Sequence, residues 1–167
     1  MPKKEKIPVT PALRALRQSG ELFEPHLYAY EERGGASHAA ECLGIELHQT
    51  IKTLVFEDER ENPLLVLMHG DLDVAGGLLA RAIGAKRTQP CTPEAATKHT
   101  GYLVGGTSPF GTRKALPVYA EETIRDLPRL YINGGKRGLL ISLLPLALER
   151  ILAPQYVAVS APSTGGS

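Results

Sequence analysis

The chain has 167 residues, of which 43% are hydrophobic and 22% charged, and its net charge is +1. That composition suits one globular domain with a sizeable core, and it excludes a global basic field, so any nucleic acid is met through a local patch at a few phosphates. Aromatic residues make up only 5%, with no Trp, which excludes a broad base-stacking platform.

In chain order, Thr10-Pro11 opens a helix, with Thr10 as N-cap and Pro11 at the first helical position, and Gly20 closes it. Phe23 to Tyr30 reads as a strand, and Pro25 within it argues for an edge. Glu31 to Gly35 is a polar loop, and Ser37 to Leu43 a short helix ending at Gly44. Thr50 to Glu57 is rich in β-branched and apolar residues and reads as a strong strand. Alternation puts Thr50, Lys52, Leu54 and Phe56 on one face, and Ile51, Thr53 and Val55 on the other. The charged turn from Asp58 to Pro63 joins it to a continuous apolar strand, Leu64 to Met68, as a hairpin.

His69 to Asp73 leads into a helix over Val74 to Ile83, with Asp71 or Asp73 as its cap. A short strand is expected near Lys86 to Thr88. Thr92-Pro93 repeats the helix-start signal, and that helix runs to about His99. Tyr102-Leu103-Val104 reads as a buried strand that runs into Gly105-Gly106, followed by Thr107, Ser108 and Pro109. Leu116 to Tyr119 is a strand, and Glu121 to Leu127 helical or irregular. Arg129 to Ile132 is a strand that ends in a second glycine cluster, Asn133 to Gly138. Leu139 to Leu143 is a strand, Pro145 to Leu152 a helix, and Tyr156 to Val159 the last strand.

These elements predict a single α+β domain with a mixed, largely antiparallel sheet, curled toward a barrel. Residues 1–9 are expected to be a flexible N-terminus, 10–160 the folded domain, and 161–167 a flexible tail, the chain from Ser160 onward being small and polar. No run approaches the roughly 18 apolar residues of a membrane span. Cys42 and Cys91 show neither CxxC nor Cys/His metal spacing. A reducing, cytoplasmic setting is therefore expected, with no metal and no cofactor.

Few residues announce chemistry. The two adjacent glycines, Gly105 and Gly106, let backbone N–H groups converge on an oxygen, or simply make a turn. Pro109 stiffens that loop and restricts Ser108. Lys52 lies mid-strand among apolar neighbours, so it either snorkels to water or points into a pocket toward an anion. Lys136 and Arg137 on the second glycine turn suit a phosphate contact, or a solvated turn. GxxxxGK[ST], GxGxxG and GxSxG patterns are absent, and the five histidines form no HxH or HxxxH pair. Both cysteines read as structural. Catalysis, if present, would rest on backbone donors and on the substrate's own groups.

Four pieces, in order, carry a resemblance: Ile51 to Leu54, Ala82 to Lys86, Gly101 to Gly111, and Gly134 to Leu139. Together they make residues 10 to 160 similar to the YbaK family of free-standing aminoacyl-tRNA deacylases, relatives of the editing domain inserted in bacterial prolyl-tRNA synthetase. The resemblance implies hydrolysis of the ester between a wrong amino acid and the terminal adenosine of a tRNA, most simply of the Cys-tRNA(Pro) type. It implies that Lys52 anchors the terminal nucleotide and supports catalysis. Gly105 and Gly106 would hold the scissile end through their backbone donors. Tyr30, Thr53, Thr107, Ser108 and Pro109 would line the substrate site. In cysteine-specific members the substrate thiol attacks its own ester, which would make a protein nucleophile unnecessary.

Three positions depart from the family pattern. Leu140 stands where an aspartate is frequent, Asn133 where a serine is common, and Thr107 where an apolar residue is frequent. Serine, threonine and alanine therefore stand beside cysteine as the amino acid cleared. The expected partners are the acceptor end of an aminoacyl-tRNA and prolyl-tRNA synthetase. The competing readings are a tRNA- or synthetase-binding module without chemistry, and a small-molecule phosphate-binding protein that uses Lys136 and Arg137.

Overall fold

In a computed structural model the structure describes residues 6–163; residues 1–5 and 164–167, the ends of the expected flexible termini, lie outside it. The strands are β1 (Glu24–Leu27), β2 (Thr50–Asp58), β3 (Pro63–His69), β4 (Leu72–Val74), β5 (Thr88–Pro90), β6 (Val118–Glu121), β7 (Leu130–Asn133), β8 (Leu139–Leu143), β9 (Gln155–Val157) and β10 (Ser160–Pro162). The helices are α1 (Pro11–Ser19), α2 (Gly35–Leu43), α3 (Gly76–Ile83), α4 (Pro93–Thr100) and α5 (Pro145–Leu152).

The main sheet runs β1-β8-β7-β2-β3-β6-β9, with β5 also paired to β2, and β10 pairs with β4 in a separate ribbon. The α+β reading holds, and the sheet is mixed. Its strand order is an open path, so the expected curl does not close a barrel. Sequence-adjacent β2 and β3 pair antiparallel, from Ile51 with His69 to Glu57 with Pro63, as the hairpin reading required. β1 is an edge strand, which accommodates Pro25, but it is shorter than Phe23 to Tyr30.

Helix signals at Thr10 and Thr92 are realised: each hydroxyl accepts a backbone N–H three residues on, from Leu13 and Ala95. The Thr10 hydroxyl also donates to Gly134 O at 2.6 Å, which ties α1 to the second glycine cluster.

Several elements differ from the sequence reading. Tyr102-Leu103-Val104 is not a strand. Tyr102 is buried and donates its hydroxyl to Phe110 O at 2.6 Å, whereas Leu103 is 60% exposed and Val104 46%. One aromatic anchor, with the chain turning outward after it, replaces the expected apolar strand. α3 begins at Gly76 behind Ala75, with no side-chain cap. The expected start at Val74 is lost because Leu72, Asp73 and Val74 pair with Pro162, Ala161 and Ser160. The same pairing puts Ser160–Pro162 in a strand, although Ala161 and Pro162 lie in the tail expected to be flexible. The strand expected at Lys86 to Thr88 lies at Thr88–Pro90, and the last core strand at Gln155–Val157.

The core has two principal parts, one on each face of the β2–β3 hairpin. Ile51 and Leu67 join Leu13, Leu16, Tyr102, Phe110, Ile132 and Leu148 on one face. Phe56, Val66 and Met68 join Leu79 and Val159 on the other, with Leu54, Leu72 and Val74 packed against them.

Candidate functional site

An open cavity of about 910 Å³ surrounds the middle of β2. It is lined by Lys52 and Thr53, by Tyr30, by Gly105 and Thr107 of the first glycine loop, and by Asn133, Arg137 and Leu140 around the second. These are residues that the sequence singled out, now in one place. Gly106, Ser108, Pro109 and Lys136 do not line it.

Lys52 is held rather than loose. Its Nζ donates to Leu72 O at 2.6 Å and lies 3.4 Å from Asp73 Oδ1, with 24% of the side chain exposed. The ammonium keeps a partner in a half-buried place, which is the condition for tolerating the charge there. Asp73 and Asp71 are thus not helix caps. Asp73 meets Lys52, and Asp71 accepts from His48 Nδ1 at 2.9 Å.

The first glycine loop is shaped by close approach. A Cβ on Gly106 would lie 2.8 Å from Arg137 N, so the two glycine loops touch only because Gly106 has no side chain. The Gly106 N–H donates to Leu103 O at 2.8 Å, so it is already spent. This removes it as a donor to substrate. Gly105 takes φ +92° with Tyr30 against its Cα, and its N–H is the one of the pair that meets no described partner. Ser108 is fully buried, and its Oγ accepts from Phe110 N, a turn role rather than a ligand role.

Asn133 joins the loops. Its Nδ2 donates to Gly105 O at 3.1 Å, and its Oδ1 accepts from Gly135 N at 2.7 Å and Lys136 N at 3.1 Å. Arg137 donates from Nε to Val104 O at 2.9 Å, and its guanidinium lies over the Tyr30 ring at 5.2 Å. Lys136 is exposed on the turn.

Residues that the sequence reading did not assign to the site also line the cavity: Tyr28, His38, Asp73 and Cys91. His38 donates from Nε2 to Ala29 O at 2.7 Å, with Glu31 at 3.1 Å from Nδ1, and so steadies the segment that carries Tyr30. Burial pushes the Cys91 thiol up to about 11, so it stays protonated at neutral pH, which disfavours it as a nucleophile. Nothing in local sequence pattern marks Asp73 or His38, because their contacts cross between elements.

Away from the cavity, His48, His69 and Asp71 bring ligand-type atoms within 4.8 Å of one another. Both His69 nitrogens are already engaged, by His48 O at 2.7 Å and Thr123 Oγ1 at 2.8 Å, and the two rings stack at 3.7 Å. The cluster is a hydrogen-bond network, and its geometry does not favour a metal.

Known proteins share this architecture. The family described as aminoacyl-tRNA editing domain matches residues 31–151. A relative from Enterococcus faecalis, named "Putative Cys-tRNA(Pro)/Cys-tRNA(Cys) deacylase EbsC", is 30% identical over 161 residues, covering 96% of this chain and 98% of that one. A proline–tRNA ligase from Brachyspira hyodysenteriae is 28% identical over 86 residues, 52% of this chain but only 15% of the ligase. A solved structure described as a putative trans-editing enzyme for prolyl tRNA synthetase superposes with a TM-score of 0.81 at 26% identity, covering 92% of this chain and 99% of that one. The chain belongs to the aminoacyl-tRNA editing domain family.

Proposed function

We propose that the chain is a trans-editing deacylase that hydrolyses the ester of a mischarged aminoacyl-tRNA, of the Cys-tRNA(Pro) type in the first instance. One observation carries the reading: a single cavity gathers Lys52, the Gly105 loop and the Asn133–Arg137 turn. The relatives' printed activities, cysteinyl-tRNA deacylation and trans-editing for prolyl-tRNA synthetase, point the same way. The acceptor end of a tRNA is then the ligand, and a prolyl-tRNA synthetase the partner that supplies it.

An aminoacyl ester is activated, so positioning and a preorganised donor suffice. Lys52 Nζ, fixed by Leu72 O and Asp73, meets the terminal nucleotide's phosphate or hydroxyl. Gly105 N–H faces the reacting end. Arg137, with its guanidinium over the Tyr30 ring, and exposed Lys136 serve the acceptor backbone. The nucleophile is water or a group of the substrate itself, since the cavity thiol, Cys91, is held protonated. Thr53, Thr107 and buried Leu140 define the aminoacyl wall. Leu140 brings no charge to it, which keeps serine, threonine and alanine beside cysteine as cleared residues.

The test is a deacylation panel with Cys-, Ser-, Thr-, Ala- and Pro-tRNA. At least one ester is cleared well above its spontaneous rate, and Lys52→Ala abolishes that clearance without loss of fold. Folded protein that clears none of them sinks the reading. Binding of tRNA without turnover would leave a binding module instead.

A further inference from the structure

β2 is paired along one flank by β3, but its other flank is shared by two strands that leave a gap. β7 pairs with Thr50 and Ile51, and β5 with Phe56, Glu57 and Asp58. Cys91 N–H reaches back to Val55 O at 2.9 Å, and there the pairing stops. Between them the edge is bare over Lys52 to Leu54, roughly 10 Å at the usual strand rise.

Backbone direction alternates along a strand, so the residue that shares Val55's orientation is Thr53. Its N–H and C=O face the gap, while Lys52 and Leu54 turn theirs to Met68 and Val66 of β3. No described residue takes up the Thr53 N–H or C=O. The Thr53 hydroxyl is buried, and it too has no hydrogen-bond partner among the described residues. A buried polar group without a partner is rare in folded chains. Two unpaired backbone groups and a buried, unpartnered hydroxyl thus belong to one residue that lines the cavity.

We propose that the bare edge at Thr53 is the docking site for the aminoacyl group, which adds to β2 as a one-residue antiparallel strand. This rests on the deacylase reading. The α-ammonium donates to Thr53 C=O and the ester carbonyl accepts from Thr53 N–H, the exchange that two opposed residues make in an antiparallel ladder. The N–H bond strengthens as the carbonyl oxygen gains charge, so the same contact assists hydrolysis.

The docking also sets the side-chain pocket. Directly opposed residues project to the same face. An L-aminoacyl side chain therefore lands on the Thr53 face, beside Thr107, Val55 and Ala96, the face that carries the buried, unpartnered Thr53 hydroxyl. A D-residue held by the same two bonds points to the opposite face, at Lys52.

The experiment compares L- and D-forms of the amino acid cleared fastest, on the same tRNA. The L-ester is hydrolysed at least about ten-fold faster, the worth of one well-made hydrogen bond or more. In parallel, 3′-aminoacylamino-3′-deoxyadenosine, which cannot be hydrolysed, shifts the Thr53 amide resonance and slows its exchange. Thr53→Val keeps the backbone edge and the L-over-D ratio, and it lowers the preference for seryl over alanyl ester by several-fold. Equal L and D rates, or a Thr53 amide unmoved by the analogue, overturn the docking while leaving the deacylase reading intact. Failure to hydrolyse any ester overturns the deacylase reading itself, and the docking with it.

Discussion

Asn133 holds Gly105: its Nδ2 donates to the Gly105 carbonyl at 3.1 Å while its Oδ1 gathers the N–H groups of Gly135 and Lys136. One amide side chain thus spans both glycine loops and fixes the distance between them. Asn133 has the reach for this bridge, which a serine in its place would lack.

Asn133→Ala is expected to release the first loop and lower kcat/KM about a hundred-fold, the scale of a small misplacement at a reacting centre. Asn133→Asp keeps both accepted bonds, which hold the second turn, but it sets a carboxylate oxygen against Gly105 O in place of the donor, so the first loop is still released and the loss is smaller than in Asn133→Ala. Single-turnover deacylation of the two variants checks the order.

Gly106→Ala is expected to destabilise the fold by about 1–3 kcal/mol, as overpacking does. The new Cβ would fall 2.8 Å from Arg137 N and 3.0 Å from Lys136 C, and backbone there has no rotamer with which to yield. Denaturant titration reads the loss. Unchanged stability would mean that the loops do not pack as described.

Tyr102→Phe removes the hydroxyl that donates to Phe110 O at 2.6 Å. The expected cost is about 1 kcal/mol, and the carbonyl left behind is buried. A chain of this size then melts about 2–4 °C lower. Burial pushes the Tyr102 phenol up to about 12, so no ionisation of this group disturbs the loop at ordinary pH.

His69 gives stability a pH dependence. It is fully buried, and burial first of all holds its pKa below the ordinary 6.5. The unfolded chain therefore binds the proton more readily than the folded one. The stabilisation is full above the unfolded value and is lost as pH falls through the lower folded value. Thermal midpoints measured from pH 8 to pH 5 should fall on the acid side of about 6.5. His69→Gln should flatten part of that slope. His26 and His99 are shifted the same way, by burial first, so a residual slope remains in the variant.

How much of this was legible in advance depended on the range of the interaction. Thr10-Pro11 and Thr92-Pro93 announced α1 and α4 because a cap is made within three residues. β2 and β3 announced their hairpin because period-two alternation and a short turn are local. The Leu72–Val74 strand was misread as a helix start for the opposite reason: its partner, Ser160–Pro162, lies at the far end of the chain. Tyr102-Leu103-Val104 misled because three apolar residues look alike until packing buries one and exposes two.

The sequence by itself determined the domain class, the glycine loops, and Lys52 as an ammonium out of place on a strand, since propensity, φ and charge reside in single residues. Tertiary structure alone decided that Gly106 N–H is spent on Leu103, that Asp73 meets Lys52, and that Asn133 bridges two loops. It also decided that β5 and β7 stop short of each other and leave Thr53 with an open edge. Hydrogen bonds between distant segments depend on where chain topology brings them, and no local pattern encodes that meeting.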